Sequence, residues 1–199
     1  MMNDSPVIGR SGSYSTGVAR RQEILDRAIE VFAERGATGA SLRQIAKAIG
    51  VSHAALLHYF DSREQLLVAV YEHAERVRYQ VLPRPAESSA MDSMVHAATE
   101  NVKVPGMVQL YTTLVAAALE EGSDASKDFF TRRFERTRAD VASWLRADQA
   151  AGLVRADLDP DAIAALIIAA SDGLQTQWLL DPAIALGETL QVFGDLLKP

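Results

Sequence analysis

Residues 41–67 read SLRQIAKAIGVSHAALLHYFDSREQLL, and this stretch decides the fold. Ser41 opens a capping box with Gln44, in which each side chain satisfies a backbone N–H group of the other residue. The apolar face of the helix that begins there contains Leu42, Ile45, Ala46 and Ile49. Gly50 ends this helix, because glycine reaches left-handed dihedral angles without steric cost. The sequence therefore predicts a short amphipathic helix closed by a glycine turn.

A second short helix follows that turn. Ser52 is placed to cap it, and Leu56 and Phe60, four residues apart, form its inward side. Ser62 and Gln65 make another capping box, which starts a third helix. Two short helices joined by a glycine turn are typical of a helix-turn-helix, whose second helix enters the major groove of DNA.

The outward side of the second helix is unusual for a protein surface. Its exposed positions are Ala54, Ala55, Leu57 and His58, with His53 at the N-terminal end. A solvated helix would carry Lys, Glu or Gln at such positions. Alanine can contact a thymine methyl group, and His53 can reach a phosphate or a base edge. We therefore expect this face to be buried against DNA.

The flanking sequence divides the chain into three parts. A helical pattern starts near Thr16 and stops at Gly36. Its apolar residues are Ile24, Leu25, Ala28 and Phe32. Residues 1–15 are rich in Gly, Ser and Asn without periodicity, which predicts a flexible arm. The predicted parts are this arm, a DNA-binding domain at 16–82 and a second domain at 83–199.

The second domain also has a helical pattern throughout. Proline and an aspartate cap begin two of its segments, at Asp159-Pro160 and Asp181-Pro182. The predicted helices are 89–102, 106–121, 126–151, 160–179 and 183–197. Neither strand-like alternation nor an internal repeat occurs, so the predicted fold class is all-α.

Composition and charge agree with a soluble regulator. The 199 residues are 48% hydrophobic and 23% charged, and the absence of cysteine excludes disulfides and thiolate metal sites. Residues 1–60 carry seven basic and five acidic side chains (+2), and the remainder carries 13 and 21 (−8), which sum to the net charge of −6. Apolar runs are shorter than the roughly 20 residues of a membrane span, and no secretory signal opens the chain. We expect a cytoplasmic protein without membrane contact.

Residues 20–67 resemble the N-terminal DNA-binding domain of the TetR (tetracycline-repressor-like) family of bacterial regulators. The resemblance lies in the motifs IL-x-x-A-x-x-x-F-x-x-x-G, S-L-x-x-I-A-x-x-x-G-V-S and Y-F-x-S-[RK]-E-x-L-L, which together cover about a quarter of the chain. It implies an N-terminal three-helix DNA-binding domain and a C-terminal ligand-binding and dimerisation domain. The implied function is a homodimeric repressor that binds a palindromic operator in double-stranded DNA and responds to a small-molecule effector.

Several residues are candidate DNA contacts. The family commonly has Tyr at the position of Leu57 and Lys at that of His53, whereas Arg63 matches the basic position that opens the next helix and grips a phosphate. The arm could add a contact through Arg10. The basic candidates could also be ordinary solvated charges. The full set is Arg20, Arg21, Arg43, Gln44, Lys47, Ser52, His53, Ala54, Ala55, Leu57, His58, Tyr59 and Arg63.

Methionine, aromatic and a few polar residues of the second domain are candidates for an effector pocket. They are Met91, Met94, His96, Met107, Tyr111, Phe134, Trp144, Gln175 and Trp178. Such residues suit a largely apolar ligand, although they could equally be core packing. His96 and Glu100 lie one helical turn apart, but two residues do not make a metal site. We predict neither a metal nor a cofactor.

The last two predicted helices are more apolar than terminal surface helices should be. The resemblance implies that they pair with their copies in a four-helix dimer interface, and burial inside one chain is the alternative. The candidate interface residues are Ile163, Ile167, Ala170, Leu174, Leu186, Leu190, Phe193 and Leu197.

An enzyme or a ligand carrier that uses the second domain is the alternative function. No nucleophile–base pair, phosphate-binding glycine loop or metal-ligand spacing supports catalysis, so we predict that the protein is not an enzyme.

Overall fold

A computed structural model describes residues 11–35, 41–81, 88–120 and 122–199 and, within the first of these segments, the side chains of residues 17–32. The regular secondary structure of these residues is entirely helical, as the sequence predicts. Its helices are α1 (Ser11–Arg35), α2 (Leu42–Ala48), α3 (His53–Tyr59), α4 (Arg63–Val81), α5 (Ala90–Lys103), α6 (Met107–Ala117), α7 (Asp124–Ala150), α8 (Pro160–Leu180) and α9 (Leu186–Asp195).

Some predicted helix ends need correction. Helix α1 begins at Ser11 rather than near Thr16, so the last five residues of the predicted arm are helical; Arg10 and Gly36 lie outside the described residues. Helix α9 begins three residues later than predicted. The reason is that Asp181 forms a turn instead of a helix cap. Its side-chain carboxylate accepts from the Ala183 nitrogen and its backbone carbonyl accepts from the Ile184 nitrogen, each at 3.1 Å.

The helix-turn-helix has the predicted caps. Ser41 Oγ accepts from the Gln44 backbone nitrogen at 3.3 Å, and Gln44 Oε1 accepts from the Ser41 nitrogen at 2.7 Å. Gly50 has a φ of +74°, and Ser52 caps α3 through the nitrogen of Ala55. At the start of α4 the Ser62 side chain accepts from Gln65 as predicted. The Gln65 side chain, however, accepts from Asp61 rather than from Ser62, so this capping box is displaced by one residue.

A first hydrophobic core surrounds the N-terminal half of helix α4, where the residues from Leu66 to Tyr71 are buried. It contains the inward residues of α1, α2 and α3, including Ile24, Ile45 and Leu56, all at most 1% exposed. The same cluster continues into α6 and α7 through Leu114 and Phe130. Helix α4 therefore belongs to both predicted domains and connects them through packed side chains.

A second core lies among α5, α7, α8 and α9, around Leu145, Ile167 and Leu190. Two glycines of α9 face α5 at close range. A Cβ atom at Gly194 would lie 2.5 Å from Met91 Cγ, and one at Gly187 would lie 2.8 Å from Thr99 Cγ2. Glycine at these positions lets α9 lie directly against α5.

Candidate DNA-binding surface and effector cavity

Helix α3 is anchored on one side and exposed on the other. Leu56 is fully buried, and Phe60, which follows the helix, is nearly so. Ala54, Leu57 and His58 are exposed, with Leu57 44% accessible, while the candidates His53, Ala55 and Tyr59 are half-buried. Tyr59 packs against the first core and makes an edge contact with His58. The result is a small, largely uncharged ridge that projects from the domain.

The other polar candidates lie on the elements that precede and follow α3. Arg43 and Lys47 are exposed on α2, and Arg63 is half-buried at the start of α4. Gln44 is exposed too. Its side-chain oxygen already accepts a hydrogen bond in the capping box, whereas its side-chain amide nitrogen can donate to DNA. The Ser52 hydroxyl oxygen is likewise used as a cap.

The candidate arginines of α1 have partners within the chain. Arg20 forms an ion pair with Glu23 at 2.5 Å, and Arg21 lies over the Phe60 ring with its guanidinium carbon 5.1 Å from the centroid. A further arginine, Arg27, which no sequence motif marked, also pairs with Glu23 and donates to the Ile49 carbonyl at 3.4 Å. Arg27 thus supports the turn between α2 and α3 from the neighbouring helix.

A cavity of about 610 Å³ lies between α4, α5 and α7. Of the predicted pocket residues, Met94, His96 and Trp144 line it. A second cavity of about 20 Å³, the size of one water molecule, is lined by three more: Met107, Tyr111 and Gln175. Of these two cavities, only the larger has the volume of a usual ligand pocket, about 300–1,000 Å³, and it is therefore the candidate effector site.

The other three predicted pocket residues line neither cavity. Met91 is buried beneath α9, where Gly194 brings that helix into contact with it. Phe134 packs against the first core and Trp178 against the second. These three side chains pack with the cores, as the packing alternative has it, because large apolar side chains are more often buried in a core than exposed in a cavity.

The larger cavity has a mainly apolar lining, as a largely apolar effector would require, with charged residues among it. Four acidic residues and three arginines take part in the lining: Glu72, Glu75, Glu100, Asp140, Arg76, Arg78 and Arg136. Glu100 forms an ion pair with Lys103, whose hydrogen bond lowers the pKa of that carboxylate. The aromatic rings of Tyr79 and Trp144 contribute to the apolar part of the lining, together with Met94, Ala97 and Val141. Periodicity could not reveal this mixture, because the charged residues come from three separate helices.

A buried polar cluster lies behind the cavity. Arg133 Nε donates to Glu75 Oε1 at 2.8 Å, and the guanidinium carbon lies 5.1 Å from the Tyr111 ring centroid. Tyr111 in turn donates to Asp172 Oδ2 at 2.7 Å. Burial raises the pKa of Tyr111 and that of Asp172 above their ordinary values. The cluster joins α4, α6, α7 and α8 through charges that sequence reasoning did not connect.

A second polar cluster, which we call the α1–α4 joint, connects the DNA-binding helices to α4. Its members are Gln22 and Asp26 of α1 and His73 and Arg76 of α4. His73 Nε2 lies 2.6 Å from Asp26 Oδ1, and Arg76 Nη2 lies 3.0 Å from Gln22 Oε1. This joint could not be predicted from the sequence, because its partners are about 50 residues apart and no local pattern links them.

The predicted dimer residues fall into two groups. Ile167, Leu186 and Leu197 are at most 5% exposed in the single chain, which agrees with the alternative of burial inside one chain. Four others line a groove between α8 and α9: Ala170, Leu174, Phe193 and Leu190, the last with no exposed area of its own. Ile163, Ala170, Leu174 and Phe193 are half-buried, and all four pack against the second core. The apolar side chains that remain exposed on α8 and α9 include Leu166, Val192 and Leu196. The core-facing and solvent-facing sides are both apolar here, so periodicity alone could not separate them.

Helix α8 has unusual composition for a partly exposed helix. It is long and apolar enough to cross a membrane, but only 28% of its apolar window is buried inside the chain. Its exposed side borders a groove of about 400 Å³ between α8 and α9, lined by residues such as Gly173, Val192 and Leu196. Among the described residues, this is a broad apolar surface without a covering element.

An exposed helix of a helix-turn-helix, joined by α4 to a helical domain with a ligand-sized cavity, defines a DNA-binding regulator. Residues 24–70 match the family model of the tetR family of bacterial regulatory proteins, and residues 110–198 match that of the C-terminal region of BetI-type transcriptional repressors. The chain therefore belongs to the TetR family, and it is a DNA-binding transcriptional regulator.

Individual relatives agree with this assignment. The HTH-type transcriptional regulator BetI of Rhizobium meliloti is 31% identical over 176 residues, which are 82% of this chain and 80% of the relative. The HTH-type transcriptional repressor Rv1474c of Mycobacterium tuberculosis is 28% identical over 159 residues, or 78% and 80% of the two chains. A regulator from Saccharomonospora viridis, solved in complex with choline, shares the fold with a TM-score of 0.67 and 20% identity over 89% of this chain and 94% of its own.

Proposed function

We propose that this protein is a cytoplasmic, ligand-responsive repressor that binds a palindromic operator as a homodimer. The observation that carries the proposal is the ridge of α3, where Ala54 and Leu57 are exposed without charge between the basic residues of α2 and the start of α4. Such a ridge fits the major groove, and the surrounding cations fit the phosphates on both sides.

The homodimer would use the solvent-facing side of α8 and α9. Leu166, Val192 and Leu196 are each more than half exposed there, and a second copy would cover them. Two-fold pairing suits this surface because each copy presents the same groove and the same apolar rows. A dimer also places two copies of α3 at half-sites about one turn of DNA apart.

The effector would occupy the cavity between α4, α5 and α7. Trp144 and Tyr79 suit an apolar or aromatic body, and the carboxylates and arginines suit polar groups at its ends. We therefore propose an amphipathic organic molecule rather than a purely apolar one. The Saccharomonospora viridis regulator, which has the same fold, was solved in complex with choline. This complex supports a small charged molecule as the class of effector.

The first experiment is selection of operator DNA from a random double-stranded library by the purified protein. We expect a palindromic consensus, and affinity for it should fall steeply with salt because phosphate neutralisation releases counterions. Ala54→Glu should lower that affinity at least about a hundredfold by bringing a negative charge into the groove. Ala147→Glu, at an exposed position of α7, is the matched control and should bind as the wild type does.

Two outcomes would contradict the proposal. If no sequence is enriched and binding to DNA does not depend on salt, the protein is a ligand carrier rather than an operator-binding repressor. If Ala54→Glu binds the selected operator as well as Ala147→Glu, α3 does not enter the groove.

A further inference from the structure

We propose that Arg76 transmits occupancy of the effector cavity to the DNA-binding helices, and that an anionic group of the effector is the signal. This inference rests on the proposed function, because it takes the cavity between α4, α5 and α7 as the effector site. Arg76 takes part both in the cavity lining and in the α1–α4 joint. Its side chain lines the cavity, and its Nη2 donates to Gln22 Oε1 in the α1–α4 joint.

The joint is organised around His73, which is only 4% exposed. Asp26 Oδ1 lies 2.6 Å from His73 Nε2, and a carboxylate only accepts, so Nε2 carries a proton. Arg76 Nη2 lies 2.9 Å from His73 Nδ1, and a guanidinium only donates, so Nδ1 accepts. The Gln22 amide nitrogen lies at the same distance from Nδ1 and 2.5 Å from Nε2. The partners thus surround the buried imidazole of His73 and use both of its ring nitrogens.

Arg76 is held in this joint by neutral acceptors, an amide oxygen and a ring nitrogen. Hydrogen bonds between a guanidinium and an anionic oxygen are roughly twice as strong as bonds between neutral groups. A carboxylate, sulfonate or phosphate in the cavity would therefore draw Arg76 away from Gln22 and His73. The joint would lose its link across to α1, and α1 would become less firmly held on α4.

A cationic group in the same place would have the opposite relation to Arg76. Two cations repel, so the guanidinium would stay in the joint and the DNA-binding helices would remain in position. Glu72 and Asp140 line the same cavity. The ligand class that fits all of these groups is an aromatic or apolar acid that also carries hydrogen-bond donors for the carboxylates.

Tethered groups of opposite charge test this inference without a known effector. The chain contains no cysteine, so one introduced thiol can be labelled specifically. Ala97→Cys on α5 and Thr137→Cys on α7 place a thiol at two lining positions. Methanethiosulfonate reagents would attach a sulfonatoethyl, a trimethylammonium-ethyl or a propyl group through a disulfide, and mass spectrometry would confirm complete labelling. Affinity for the selected operator is then measured by fluorescence anisotropy.

We expect the sulfonatoethyl group to lower operator affinity about tenfold relative to the propyl group at one or both positions, and the trimethylammonium group to cause no loss. In an Arg76→Met background the three groups should give equal affinities, because the responding side chain is gone. Hydrogen exchange of the α1 amides should become faster with the sulfonate alone. Ala147→Cys, on an exposed part of α7 that does not line the cavity, should show no dependence on the attached charge.

The possible results separate this inference from the function on which it rests. Equal effects of all three groups at both positions, or a sulfonate effect that persists in Arg76→Met, would overturn the role of Arg76. Failure of the unlabelled cysteine variants and of the wild type to bind any selected operator would instead overturn the proposed function.

Discussion

The helix-turn-helix and the C-terminal helices are held together by different kinds of contact. In the first, the side-chain caps of Ser41 and Ser52 reach only three residues along the chain, Arg27 adds one longer bond to the Ile49 carbonyl, and a compact apolar core does the rest. In the second, polar side chains meet across 58 to 74 positions of sequence, as Arg133 meets Glu75 and Asn101 meets Gln175.

This difference fits the division of work between the two regions. A part that reads DNA needs a fixed shape, and short-range caps with an apolar core give one. A part that responds to a ligand needs contacts that another polar molecule can replace. Under the proposed function, the long-range ion pairs and hydrogen bonds beside the cavity are contacts of that kind, and α4 would carry their effect to α1.

Breaking the buried ion pair should have the largest effect on stability. Arg133→Leu leaves Glu75, 6% exposed, without its close partner, and removal of one member of a buried pair costs roughly 3–5 kcal/mol. Arg136, 3.6 Å from Glu75, compensates in part, so we expect a loss of about 3 kcal/mol in urea unfolding. The double variant Arg133→Leu/Glu75→Leu should recover most of this loss. No recovery would mean that packing, and not the buried charge, explains the effect.

Charge on the solvent-facing side of α9 should separate the subunits. Leu196→Glu would bury a carboxylate at the proposed two-fold contact, so we expect the dimer dissociation constant to rise at least about a hundredfold. Sedimentation velocity over a concentration series measures this constant. Leu153→Glu is the matched control, because Leu153 is equally a large exposed apolar residue but lies outside α8 and α9. Dissociation of both variants, or of neither, would place the contact elsewhere.

Loss of a local cap should have a smaller effect. Ser41→Ala removes the acceptor for the Gln44 nitrogen, and we expect a loss of about 1 kcal/mol in the free energy of unfolding. Ser123→Ala provides the control, since Ser123 precedes α7 without a side-chain capping bond. Similar values for the two variants in urea unfolding would show that the cap contributes nothing measurable.

The smallest effect concerns the pH dependence of Asp172. Burial raises the pKa of this carboxyl, so its ionised form is disfavoured in the folded protein. Its contribution to stability is therefore present below the ordinary carboxyl range and is lost as pH rises through the higher folded value. Asp172→Asn cannot ionise and can still accept from Tyr111. Relative to the wild type, the variant should gain stability as the pH rises from about 4 to about 7. If urea unfolding gives the same difference in the free energy of unfolding between variant and wild type at both pH values, the prediction is wrong.

Contacts between residues close in sequence could be predicted from the sequence, and contacts between distant residues could not. The caps at Ser41 and Ser52, the glycine turn and the inward residues of α3 were all predictable, because each depends on neighbours within one or two turns. The joint around His73 and the cluster around Arg133 were not, since their members meet only after the helices have packed.

For the proposed dimer surface, the sequence predicts apolar helices but not which of their sides is exposed. Leu190 and Val192 are both apolar and lie on the same helix, yet the first is fully buried and the second 60% exposed. Periodicity identifies α8 and α9 as apolar but does not say which side faces the core of its own chain and which is left for a partner.

The central claim is that α3 enters the DNA groove, and a cleavage probe attached directly after it tests this. In Asp61→Cys the single thiol, at an exposed position beyond the ridge, can carry an iron chelate that cuts DNA nearby, and Ala147→Cys carries the same group on an exposed part of α7. We expect strong cuts from position 61 at two places in the selected operator, roughly 34 Å apart along the helix axis, and none from position 147. Uncut operator with the probe at position 61, under conditions where the labelled protein is bound, would contradict the claim.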